Sequence, residues 1–292
     1  MLKGPVFAAL LLAAGASAAR AADVAVGPEY GSTHVYVAPD QLAGFVAGFI
    51  ATFGGHASTP AVMTVTPTPS ETTFEFVFTP VGTFSVFGFK TPIPYPFGEE
   101  RTGYLVTDMD RAVAAARAAG AEVVVAHFPD PIGRDAVIRW PGGVDMQLYW
   151  HTVAPAYAAL ASTPENRVYV PADQADVFVR DFLAFSGGRV TLDQPAASGA
   201  AIGRPGETYR LIRLDTRFGK LAVLVTDGHL PWPYGRELTG YEVTDLAATL
   251  AKAKAAGVEV LVGPSLADDR TAAMVRFPGG YIAEIHALAP PR

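Results

Sequence analysis

The sequence predicts an α+β fold of four βαβββ modules in two tandem halves, and three observations carry that prediction. The first is repetition: Thr33 to His151 recurs, element by element, in Asn166 to Ala287. The second is a constant offset of 137 (240 − 103). It relates Gly103-Tyr-Leu-Val-Thr-Asp108 to Gly240-Tyr-Glu-Val-Thr-Asp245, Ala118-Ala119-Gly120 to Ala255-Ala256-Gly257, and Trp140-Pro141-Gly142-Gly143 to Phe277-Pro278-Gly279-Gly280. The third is an upstream offset of 133 (173 − 40), which relates Val35-Tyr36-Val37 and Asp40-Gln41 to Val168-Tyr169-Val170 and Asp173-Gln174, and Gly54-Gly55 to Gly187-Gly188. Ordered similarity of this kind marks a repeat. The four-residue difference falls between Gly55 and Pro94, where a surface loop absorbs it at least cost.

Each half subdivides in turn. Thr33 to Ala38 alternates and is rich in Val and Tyr, a strand pattern, and Asp40 to Phe53 places Leu42, Phe45, Val46 and Phe49 at helical spacing. Gly54-Gly55 ends that helix. Three extended runs follow, Ala61 to Thr66, Thr72 to Thr79 and Thr83 to Phe89, the last two joined by a Pro-Val-Gly turn. Thr102 to Thr107 opens a second unit, and Asp108 caps an Ala-rich helix that ends near Gly120. Strands Glu122 to Ala126, Asp135 to Trp140 and Val144 to Trp150 complete it, with Pro141-Gly142-Gly143 as a turn. The halves are expected at 30–151 and 166–288, with an Ala-rich linker at 152–165.

Residues 1–21 stand apart from this pattern. Met1 to Lys3 is a short positive start, Ala8 to Ala14 is apolar, and Ala16-Ser17-Ala18 and Ala19-Arg20-Ala21 are small-x-small cleavage candidates. Gly15 and Arg20 interrupt the apolar run, which is shorter than the roughly 20 residues of a spanning helix. A secretory signal is therefore expected, with a periplasmic or secreted mature protein. The chain has no Cys, which rules out disulfides and a lipid anchor on that residue. A net charge of −6 with 22 basic residues, and no cluster of them, excludes a nucleic-acid surface. No later apolar run is long enough to cross a membrane, so no membrane partner is expected after signal cleavage.

Paired β-α-β-β-β modules, a Val-x-Asp strand-to-helix junction followed by Ala-Ala-Gly, and a closing Pro-Gly-Gly-x-x-x-[Gln/Glu] strand resemble the vicinal oxygen chelate superfamily. That superfamily holds glyoxalase I, extradiol dioxygenases and bleomycin-resistance proteins, and the resemblance covers Thr33 to Ala287. It implies that paired modules curl into half-open barrels, two in this chain, with the first and last strands of each module pointing side chains inward. Alternation sorts the closing strands: Asp145, Gln147 and Tyr149 face inward against Met146, Leu148 and Trp150, and Ile282, Glu284 and His286 against Ala283, Ile285 and Ala287. Opening strands group His34 with Tyr36 and Arg167 with Tyr169; the next group Thr102 with Tyr104 and Thr239 with Tyr241. Copy one is thus expected to offer His34, Tyr36, Thr102, Tyr104, Gln147 and Tyr149 to a pocket, and copy two Arg167, Tyr169, Thr239, Tyr241, Glu284 and His286.

Metal-dependent members of the superfamily hold their ion at four corners. The resemblance places His34, Gln147, Thr102 and Ser85 to Phe87 at those corners in copy one, and Arg167, Glu284, Thr239 and Ala222 to Leu224 in copy two. Catalytic sites commonly keep at least three protein donors, a number neither copy reaches. Arg167 carries a permanent charge and is expected to pair with Glu284. His34, Gln147 and Glu284 remain the metal candidates, for Zn, Mn, Fe or Ni, and His286 could join Glu284. His56, His127 and His229 read as loop residues, His151 as structural, and Ser198 as a linker residue; no nucleophile elbow, phosphate loop or Cys site is present.

The expectation for function is a protein that binds a small aromatic or oxygen-rich organic molecule in a sheet-lined pocket, with a degenerate metal site and no resident cofactor. The alternative is a metal-dependent lyase, isomerase or dioxygenase with a divalent ion near His34 and Gln147. A scaffold without a small ligand is the third reading. A monomer is expected, since tandem copies complete in one chain what single-copy relatives complete by dimerising.

Overall fold

A computed structural model describes residues 24–226, 237–267 and 269–289, so the expected signal at 1–21 and His229 lie outside the described residues. The first module runs β1 (Ser32–Tyr36), α1 (Leu42–Phe53), β2 (His56–Ala57), β3 (Ala61–Met63), β4 (Thr72–Thr79) and β5 (Gly82–Phe89). The second is β6 (Thr102–Leu105), α2 (Met109–Ala118), β7 (Glu122–Asp130), β8 (Gly133–Trp140) and β9 (Val144–His151). The third is β10 (Glu165–Pro171), α3 (Ala175–Ser186), β11 (Arg189–Ser198), a 3-10 turn (Gly199–Ile202), β12 (Thr208–Thr216) and β13 (Gly219–Thr226). The fourth is β14 (Glu237–Glu242), α4 (Leu246–Ala255), β15 (Glu259–Ala267), β16 (Arg270–Arg276) and β17 (Ile282–Leu288).

Each half forms one curled sheet. The orders are β2-β4-β5-β1-β6-β9-β8-β7, with β3 also on β4, and β11-β12-β13-β10-β14-β17-β16-β15. The modules meet through their first strands: β1 runs antiparallel to β6, and β10 to β14. The helices begin and end where local chemistry dictates. The Asp108 and Asp245 side chains accept from the backbone N–H of Arg111 and Ala248, capping α2 and α4, while α1 and α3 stop at Gly54 and Gly187. The β7–β8 hairpin is longer than alternation suggested, with Phe128 paired to Asp135, and this brings Asp135 into the sheet.

The hydrophobic cores do not follow the sheets. One core joins Phe45 and Phe49 of α1 to Tyr241, Phe277, Tyr281 and Ile285 of the fourth module. The other joins Phe178, Phe182 and Phe185 of α3 to Tyr104, Trp140, Met146 and Leu148 of the second. The contacts repeat across the halves: Phe49–Phe277 ring centroids lie 4.8 Å apart, and Trp140–Phe182 centroids 5.6 Å. The convex faces are therefore packed back to back, and the two concave faces point outward.

The repeated Pro-Gly-Gly turn seals this contact. Gly142 (φ +87°) sits where a Cβ would come 2.6 Å from Val170 Cγ1, and Gly279 (φ +84°) where one would come 2.7 Å from Val37 Cγ1. Both the left-handed backbone and the close approach demand glycine. Truncating a residue in the shared core should destabilise the whole chain: Phe49→Ala is expected to cost about 3–5 kcal/mol. Urea unfolding followed by tryptophan fluorescence and by far-UV circular dichroism should give one coincident transition, shifted to lower urea.

Candidate functional site

The register across the central strands decides which side chains face each concavity. Ser32 pairs with Gly103, and Thr33 with Thr102, and directly opposed residues share a face. His34 and Tyr36 therefore face the concavity together with Gly103. Thr102 and Tyr104, expected there, lie on the convex side, where the Tyr104 ring packs 4.7 Å from that of Phe218 and the Thr102 hydroxyl donates to Glu237. Copy two repeats the correction: Thr239 pairs with Asn166, and Tyr241 is buried 5.6 Å from Phe49, its hydroxyl bonded to that of Tyr281 at 2.7 Å. A one-residue shift in the reading of a strand inverts both faces.

The glycine beneath each opening strand has a reason. A Cβ on Gly103 would lie 2.8 Å from His34 Nε2, and one on Gly240 would lie 3.1 Å from Arg167 Nη2. The absent side chain lets His34 and Arg167 lie across the neighbouring strand. The same register moves the third corner. The His34 N–H donates to the Arg101 carbonyl at 2.8 Å, and Arg167 pairs with Leu238, so Arg101 and Leu238 occupy the positions expected for Thr102 and Thr239.

The concavity of copy one spans about 810 Å³, its mouth included. One wall is aromatic: Tyr36 stacks on Phe87 at 5.1 Å, Phe87 lies 5.4 Å from Phe74, and Phe74 meets Phe76 edge-on at 4.5 Å. The other carries Gln147, Tyr149, Asp135 and His151, with His34 and the Ser32–Ser85 hydroxyl pair (3.1 Å) on the floor. The Tyr149 hydroxyl donates to the Tyr30 carbonyl, and the Tyr36 hydroxyl to Glu100. Burial raises the Tyr36 phenol well above its ordinary pKa, and Glu100 adds to the rise.

Several groups in this concavity lack partners. His34 Nδ1 makes no hydrogen bond and stands 3.6 Å from Glu100 Oε1, while Glu100 Oε2 is also unbonded. Asp135 is only 7% exposed, and burial, with Asp130 and Glu100 nearby, pushes its carboxyl well above the usual range. Glu100, Asp135 and the Phe wall were absent from the expected set. Glu100 lies outside any periodic segment, but Asp135 was detectable, because its counterpart at the repeat offset is Ala272. His151, read as structural, lines the concavity, and burial lowers its pKa. His127 lies 3.4 Å from Asp110, and His56 stacks on Phe78.

Copy two is narrower. Arg167 grips Glu284 through both terminal nitrogens, Nη2 to Oε1 at 2.6 Å, and reaches Glu165 at 2.9 Å. Arg270 joins Glu165 at 3.0 Å, Arg213 joins Asp269 at 3.0 Å, and His286 Nδ1 lies 3.0 Å from Glu284. Tyr169, Ile202, Leu211, Leu224, Leu238 and Met274 form an apolar cluster beside this network, and the Gly199–Ile202 turn lies against β15 and β16. Burial alone would raise the Glu284 carboxyl, but Arg167, aided by His286, brings it down to about 2; Arg167, Arg270 and Arg213 hold Glu165 at about 2 against the same burial.

Several solved structures are similar to this chain in fold. A mutant of 4-hydroxymandelate synthase from Streptomyces coelicolor matches with TM-score 0.64 at 14% identity, over 92% of this chain and 94% of that one. The 2,3-dioxygenase LapB from Pseudomonas sp. KL28 matches with TM-score 0.55 at 12% identity, over 93% and 95%. Homoprotocatechuate 2,3-dioxygenase from Arthrobacter globiformis matches with TM-score 0.55 at 14% identity, over 91% and 80%. No protein-family model matches the chain, and no curated protein matches its sequence. The fold is the one these synthase and dioxygenase structures share, with four modules paired into two half-barrels.

That fold implies a divalent metal, and the donors present do not fit one. In copy two a guanidinium is bound to the carboxylate that would ligate the ion, and Leu238 offers no donor. In copy one Arg101 stands at the third corner and Ser85 at the fourth, beside His34 and Gln147. Among the described residues no three His, Asp or Glu side chains converge on one point.

Removing one partner of a buried ion pair strands the other, so Glu284→Gln should cost about 3–5 kcal/mol at neutral pH, measured by urea denaturation. Glu284 and Glu165 are depressed from the ordinary 4.5 to about 2, so the unfolded chain binds more protons in acid. Their contribution is full above pH 4.5 and is lost as pH falls toward 2; stability against pH should flatten across that window in Glu284→Gln.

Proposed function

We propose that the chain is an exported binding protein whose copy-one concavity takes a small aromatic or oxygen-rich organic molecule, and whose copy-two half is a structural partner. The observation that carries this reading is the contrast between the two concavities. Copy one keeps an aromatic-walled space of about 810 Å³ with unpartnered polar groups, and copy two narrows the equivalent space to about 430 Å³ with an ion-pair network and a 3-10 turn. A flat ring suits the wall formed by Phe74, Phe87 and Tyr36, and His34, Gln147 and Asp135 are positioned to select polar substituents. Export rests on the charged, apolar and small-residue order of residues 1–21, and the tandem halves suit a monomer.

The second reading is a metal-dependent dioxygenase, lyase or isomerase near His34 and Gln147. It draws on the fold neighbours and on the unbonded His34 Nδ1 beside Glu100. Substrate oxygens or water would have to complete the coordination. Metal analysis of the purified protein after addition of Zn, Mn, Fe or Ni separates the two: stoichiometric metal that His34→Ala removes would replace the binding reading.

Ligand binding to the native state must raise stability, by about 2.7 kcal/mol at a hundredfold excess over Kd. A thermal scan across a library of small aromatic compounds is expected to find upward shifts that Phe87→Ala abolishes. Glu284→Gln should lower the baseline melting temperature and leave those shifts in place. Absence of any shift, or shifts indifferent to Phe87→Ala, would overturn the assignment to copy one.

A further inference from the structure

The lining of the copy-one concavity contains no Lys or Arg, although Asp130 and Asp135 both belong to it and Glu100 lies behind His34. The guanidinium closest to that wall, Arg101, stands 5.4 Å from the Tyr36 ring and lines a neighbouring cleft instead. Asp135 is buried, and among the described residues neither it nor Gln147, 9% exposed, has a hydrogen-bond or ion-pair partner. An apolar cavity with an unpaired buried carboxyl at its wall is costly to maintain unless something arrives to pair with it. Facing that carboxyl are the rings of Tyr36, Phe74, Phe76 and Phe87, whose negative faces attract cations.

We propose that the copy-one concavity recognises a cationic ligand, a protonated amine or quaternary ammonium carried on a flat aromatic body, with Asp135 as its counter-ion. This deepens the reading of copy one as a binding pocket and rests on it. The aromatic wall takes the body of the ligand, the carboxyl takes the charge, and Gln147 is free to orient a polar substituent. Burial, with Asp130 and Glu100 nearby, raises the Asp135 carboxyl well above its usual range in the empty pocket. An ammonium beside the carboxyl favours its ionised form, so a proton held there in the empty pocket passes to solvent as the ligand, keeping its own charge, arrives.

Three probes of similar shape test this on the full chain by isothermal titration calorimetry: 2-phenylethylammonium, 2-phenylethanol and 3-phenylpropanoate. The ammonium should bind roughly tenfold or more tightly than the alcohol, about 1.4 kcal/mol, and the carboxylate should bind weakest. Heats measured in buffers of different ionisation enthalpy should report proton release for the ammonium alone. Asp135→Asn should erase both the preference and the release while leaving the alcohol's affinity unchanged. Asp130→Asn, which keeps an acceptor for the Ile132 N–H (2.7 Å), should weaken the preference and serves if the first variant does not fold. Equal or tighter binding of the alcohol or the carboxylate overturns the charge assignment and leaves the pocket standing. Failure of all three probes overturns the cationic assignment, and the library scan with Phe87→Ala then judges the pocket separately.

Discussion

The back-to-back packing of the two convex faces is the constraint on which the rest of the structure depends. Neither half completes its core alone. α1 supplies Phe45 and Phe49 to the core of the fourth module, and α3 supplies Phe178, Phe182 and Phe185 to that of the second. Each fully buried aromatic or aliphatic side chain contributes roughly 1.5–3 kcal/mol, so these cores dominate the favourable side of folding. Because both convex faces are consumed this way, the two outward concavities are left free for ligand chemistry.

Duplication then leaves the concavities free to diverge. A fold whose stability resides on the convex side tolerates changes on the concave side, provided buried charges are matched. Copy two shows what matching requires: Arg167, Arg213 and Arg270 face Glu165, Glu284 and Asp269. Arg167 satisfies the carboxylate with a planar fork and a permanent charge, as a point cation would not. The four extra residues of copy two add to the narrowing. They fall between the Gly187-Gly188 helix stop and β12, where the Gly199–Ile202 turn brings Ile202 onto Leu211 and Met274.

Much of this was legible in the sequence, and what was not has a physical explanation. The element order, the closing-strand faces and the Arg167–Glu284 pairing follow from offset, alternation and charge. The location of the four-residue insertion was also visible, but a loop that plugs a barrel has the same sequence signature as one that merely crosses the surface. The β6 and β14 faces were misread because Thr-Gly-Tyr alternates without a clear apolar phase: Gly103 shows nothing until the ring of His34 is seen to lie over it. Glu100 reaches the site from a loop, where no period constrains direction. Asp135 followed the one rule that served best elsewhere, that residues differing between copies carry the chemistry, since Ala272 stands in its place.

The contrast between matched and unmatched charge also bears on why copy one stays open. A buried polar group without a partner costs about 1–3 kcal/mol, and a buried charge costs more. Copy two avoids that cost at its carboxylates through ion pairs. Copy one buries Asp135 without an ion-pair partner among the described residues, and leaves one oxygen of Glu100 and His34 Nδ1 unbonded. Filling the space with Leu or Ile, as copy two does with Leu211 and Leu224, would remove the penalty; copy one instead carries Phe74 and Phe87 at those positions, wide rings that wall a cavity without filling it. The strain of unmatched polarity is thus concentrated where a ligand can relieve it, and the stability that tolerates it comes from the convex cores on the opposite face of the same sheet.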